Sequence, residues 1–97
     1  MQMFISGRVS RCGGEAHVVI SAPRPVAGCT RGDKVCHVEI RHAGTVVRLH
    51  PQPGSTRVAL DNALCEVTRH LGIDLPGLLA HVAIGPAVHE PRDAYRA

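Results

Sequence analysis

The sequence predicts an α+β domain: an antiparallel sheet of two hairpins (β-β-β-β), followed by one long and one short helix packed on one face. Three stretches carry that expectation. "GRVSRCGGEAHVVIS" and "HVEIRHAGTVVRLH" each alternate apolar and polar residues about a turn containing glycine, as half-buried hairpins do. "TRVALDNALCEVTRHLG" instead repeats its apolar residues at helical spacing. Residues 1–85 read as a single α+β domain and 86–97, "PAVHEPRDAYRA", as an exposed C-terminal tail.

In the first hairpin, a Gly13-Gly14 loop sets Cys12 opposite Glu15, Ser10 opposite His17 and Val9 opposite Val18. Ile5, Val9, Ala16, Val18 and Ile20 then share the apolar face, and Phe4, Arg8, Ser10, His17 and Val19 the opposite one. Ala22 to Asp33, "APRPVAGCTRGD", carries two prolines and two glycines and reads as a connecting loop.

In the second hairpin, an Ala43-Gly44 loop sets Ile40 opposite Val47, Glu39 opposite Arg48, Val38 opposite Leu49 and His37 opposite His50. Val38, Ile40, Val47 and Leu49 fall on one side; His37, Glu39, Arg41, Arg48 and His50 fall on the other. Cys36 shares the inner side and reads as a small core residue.

"PQPGS" ends the sheet and offers Ser55 as a helix cap. Thr56, Ala59, Leu60, Ala63, Leu64, Val67 and Leu71 form the apolar stripe of the long helix, which Gly72 stops. A short second helix is expected after Pro76, running to about Ala83.

Composition narrows the function. The chain has 97 residues, and its apolar content is almost wholly aliphatic, with Phe4 and Tyr95 its only aromatics. A domain this size buries a modest core and has little aromatic area for binding. Ten arginines to one lysine suggest a GC-rich coding sequence, bacterial or phage. The net charge of +3 favours acidic partners. With neither a signal-like opening nor a membrane-length apolar run, the expected location is cytoplasmic, with reduced thiols and no membrane partner.

Four chemistries are weighed. For metal, the cross-strand pair His37 and His50 could share an ion, but no C-x-x-C or finger spacing supplies further ligands. For nucleic acid, the hairpins present Arg8, Arg41, Arg48, His17, His37 and His50, although Glu39 opposite Arg48 suggests an internal pair. "EVTRHLGIDLPGLLAHV" also has the outline of a helix-turn-helix, with Pro76-Gly77 opening the recognition helix. For catalysis, no phosphate-binding glycine loop or acid/base set is visible, and Cys65 beside Arg69 is the one activated-thiol candidate. No cofactor is indicated.

The leading expectation is a small non-catalytic interaction protein that binds an acidic protein surface through Arg41, Arg48, His37, His50, Arg8 and His17. A phage or mobile-element inhibitor of a host system, of the anti-CRISPR kind, fits this profile at the level of class. A nucleic-acid-binding regulator is the first alternative and a histidine metal site the second. Open sheet edges further suggest a homodimer.

Overall fold

The computed structural model describes residues 3–11, 14–27 and 32–86. It is α+β, as the alternation and the helical stripe require. Strands β1 (Met3–Arg11), β2 (Gly14–Ser21), β5 (Val38–His42), β6 (Thr45–Leu49) and β7 (Val82–Pro86) form one sheet. Its order is β6-β5-β2-β1-β7, with every neighbouring pair antiparallel. Helices α1 (Thr56–Leu71) and α2 (Leu75–Leu79) follow the second hairpin.

The core is the apolar face of the sheet pressed against α1. Val9, Ala16, Val18, Ile20, Cys36, Val38 and Ile40 meet Ala59, Ala63, Val67, Leu71 and, from α2, Leu78. Ala59 and Ala63 put small, fully buried side chains where α1 lies on the strands. Leu60 and Leu64 flank that stripe half-buried, whereas Thr56, expected on it, is exposed.

Both ends of α1 are closed by local chemistry. Ser55 Oγ accepts from the Val58 amide at 3.3 Å. At the other end Gly72 adopts a left-handed conformation (φ 70°, ψ 30°), and its N–H donates to the Thr68 carbonyl. Arg11 reaches from the end of β1 and donates from Nη1 to the Leu71 carbonyl. Asp74 caps α2, its Oδ1 accepting from the Gly77 amide at 2.8 Å.

The second hairpin has the expected register, Val38 opposite Leu49 through His42 opposite Thr45. Ala43 (φ 51°) and Gly44 (φ 80°) both have positive φ, the signature of a type I′ turn. The first hairpin differs. Arg11 pairs with Gly14, Val9 with Ala16 and Arg8 with His17, two residues away from the expected pairing. An even shift leaves every side chain on its face, so apolar alternation alone cannot choose between these registers. Phe4 and Val19 do lie on the helix-free side, but both are buried rather than wet.

Four further expectations are corrected. The second helix stops at Leu79, and the chain then adds β7 alongside β1, with Gly7 opposite Val82 and Ile5 opposite Ile84. Pro86 belongs to that strand rather than to a tail; residues 87–97 lie outside the described residues. A five-residue α2 followed by a strand leaves no recognition helix, so the helix-turn-helix outline fails. The loop from Ala22 to Asp33 is partly structured. β3 (Arg24–Pro25) pairs with β4 (Lys34–Val35), and Lys34 exchanges backbone hydrogen bonds of 2.7 and 2.9 Å with Gly54.

Candidate functional site

Helices cover one face of the sheet; the other carries the arginines and histidines. Register fixes their neighbours. Arg8 of β1 lies opposite His17 of β2, and His17 lies opposite Arg41 of β5. Directly opposed side chains in such a ladder have Cβ atoms about 4.5–5.5 Å apart. Three basic side chains therefore stand in one row across three strands, a juxtaposition that the expected register, with His17 opposite Ser10, would not have produced.

The next row runs Ser6, Val19, Glu39 and Arg48. Glu39 is only 5% exposed. Its Oε2 accepts from Arg41 Nε at 3.1 Å, and Arg48 Nε stands 3.3 Å from Oε1. A buried carboxylate must be paired, and here it is clamped from along its own strand and from across the ladder. The Arg48 side chain is 70% exposed, so its contact is worth little by itself; Arg41 is the more enclosed partner. The suspected internal pair of Glu39 with Arg48 is thus present, and Arg41 joins it.

Over the first row lies an open basin of about 320 Å³ lined by Arg8, Glu15, His17, Arg41, His42 and the Ala43-Gly44 turn. Arg8 is exposed and forms no ion pair with another described residue. His42 Nε2 is buried and has no hydrogen-bond partner among the described residues. His42 and Glu15 are not among the six interface residues read from the sequence. Strict alternation puts the His42 side chain on the helix side, and the residue borders the basin where the hairpin ends.

His37 and His50 are separate from this row. The β5–β6 ladder ends at Val38 and Leu49, and the His37 backbone turns toward β2, its N–H donating to Ser21 Oγ at 2.8 Å. Exposed His37 instead lines a small cleft with Val19, Ser21, Glu39 and Arg48, and His50 lies past the strand end. Of the six residues read from sequence, the fold brings Arg8, His17 and Arg41 together, sets Arg48 one row away, and leaves both histidines at the far end. Among the described residues, no three His, Cys, Asp or Glu side chains form a metal-binding group.

The two cysteines among the described residues differ sharply. Cys36 is fully buried, and desolvation pushes its pKa above the usual 9.0. Cys65 is exposed on α1, with Arg69 Nη2 at 3.9 Å from Sγ, but Arg69 Nη1 donates to Glu66 at 2.8 Å. Among the described residues, no helix is long and apolar enough to cross a membrane. Comparison with known proteins finds no matching family, no matching curated protein and no matching solved structure.

Proposed function

We propose that this protein is a non-catalytic interaction domain that docks its helix-free sheet face onto an acidic surface of a partner protein. The observation that supports it is the cross-strand row Arg8, His17 and Arg41. The row sets the exposed Arg8 guanidinium beside His17 and Arg41 over an open basin, a surface that an anionic partner complements. A phage or mobile-element inhibitor of a host system is one kind of protein built this way. The β6 and β7 edges are open among the described strands, and a homodimer through one of them belongs to the same proposal. A light-scattering mass of one chain at micromolar concentration would remove that element.

A protein surface is favoured over single-stranded nucleic acid by the fate of Phe4. Readers of single strands stack bases on exposed aromatic rings, and Phe4, the aromatic on this face among the described residues, is buried. The deciding experiment is capture of partners from the source cell with and without nuclease, using the wild-type protein and Arg8→Glu. The expected result is a nuclease-resistant protein partner whose binding weakens by about 2 kcal/mol in the variant. Folding stability should stay within about 0.5 kcal/mol, since Arg8 is exposed. Capture that vanishes with nuclease, or is indifferent to the reversal, refutes the proposal.

A further inference from the structure

We infer that the basin over Arg8, His17 and Arg41 is a carboxylate seat, which takes an aspartate or glutamate side chain from an acidic segment of the partner. This rests on the proposed function and specifies its anchor point. The row supplies two guanidinium groups flanking an imidazole; Arg8 and Arg41 stand two strand spacings, about 9.6 Å, apart at the backbone, and both line the basin between them.

The same face already holds one carboxylate in this manner. Glu39 sits between Arg41 and Arg48, each presenting Nε to a different oxygen. Arg41 thus borders both Glu39 and the basin that it lines with His17 and Arg8. Charge selects the occupant. Arg8, Arg41 and Arg48 stand against Glu15 and Glu39, an excess of one positive charge with the histidines neutral. That matches a carboxylate better than a phosphate carrying nearly two charges, and Glu15 in the basin wall repels the additional charge.

The test is amide and arginine side-chain NMR of the full chain titrated separately with a hexaglutamate peptide and with inorganic phosphate. Hexaglutamate should shift Arg8, His17, Arg41 and residues 42–44 selectively. Arg8→Gln should weaken its binding by about tenfold, and Glu15→Gln should strengthen it by about threefold. Arg57→Gln, on the exposed side of α1, should change nothing. Phosphate binding the same residues at least as tightly, shifts confined to other surfaces, or an unaffected Arg8→Gln variant each overturn the carboxylate seat. A nuclease-resistant partner whose capture is reduced by Arg8→Glu but not by Arg8→Gln overturns the seat while leaving the proposed function standing. Capture lost with nuclease overturns both.

Discussion

Glu39 governs how much of the arginine face is available to a partner, because it engages Arg41 and Arg48 while almost fully buried. Glu39→Gln keeps the shape but removes the charge that both guanidiniums face, and should cost about 1–2 kcal/mol in urea unfolding. Arg48→Gln should cost under about 1 kcal/mol, because that side chain is mostly solvated. A Glu39→Gln variant as stable as wild type would show that the clamp is energetically idle. Reversing both arginines to glutamate is not a silent surface change, since it would gather three carboxylates at a buried position; Arg8 is the cleaner probe. Ala43 poses the opposite case. Its φ of 51° is costly for alanine and favourable for asparagine, and Gly44 follows as a type I′ turn prefers. Ala43→Asn should therefore stabilise the domain by about 0.5–1 kcal/mol, readable as a rise in thermal midpoint of a few degrees. A fall in midpoint would count against the turn assignment.

At the scale of elements, β7 is held where Gly7 lets it approach. A Cβ built on Gly7 would lie 1.9 Å from the His81 carbonyl oxygen, a clash with backbone that no rotamer relieves. Gly7→Ala should detach or displace β7, costing about 3 kcal/mol or more. Hydrogen exchange should then show lost amide protection across Val82–Pro86 while β2 and β5 remain protected. Full protection of β7 in the variant would contradict the close contact. The same strand shows where sequence reading stops. Both hairpins, their inner faces, the α1 stripe and the caps at Ser55 and Gly72 are readable because alternation, helical spacing and turn chemistry agree over long stretches. "LLAHVAIGP" offers only Val82 and Ile84 as alternating apolar positions, too few to separate a strand from the end of a helix. Its strand character comes from the free edge of β1, far away in sequence. The site was readable to the same depth: composition and parity placed Arg8, His17 and Arg41 on one face. Their alignment in one row depends on a two-residue register choice to which parity is blind.

The whole molecule is one aliphatic core between a five-stranded sheet and α1, and Cys36 lies inside it with no exposed surface. A thiol there should react only when that core opens, whereas Cys65 is already at the surface. Native alkylation followed by peptide mapping should label Cys65 within the mixing time and Cys36 far more slowly, at a rate that climbs with urea. Similar rates for the two would mean that the core opens readily or that Cys36 is not enclosed. Burial also couples this thiol to pH. Its folded pKa lies above the ordinary 9.0, so between those values the unfolded chain has released a proton that the folded chain retains. Stability from the neutral thiol is fully present below about pH 9 and declines as pH rises through the folded value. The alkaline slope of unfolding free energy should therefore be negative, and Cys36→Ala should make it shallower even though the smaller side chain lowers stability at neutral pH. An unchanged slope in that variant, measured from pH 8 to 10 in parallel with wild type, would place the alkaline sensitivity elsewhere in the molecule.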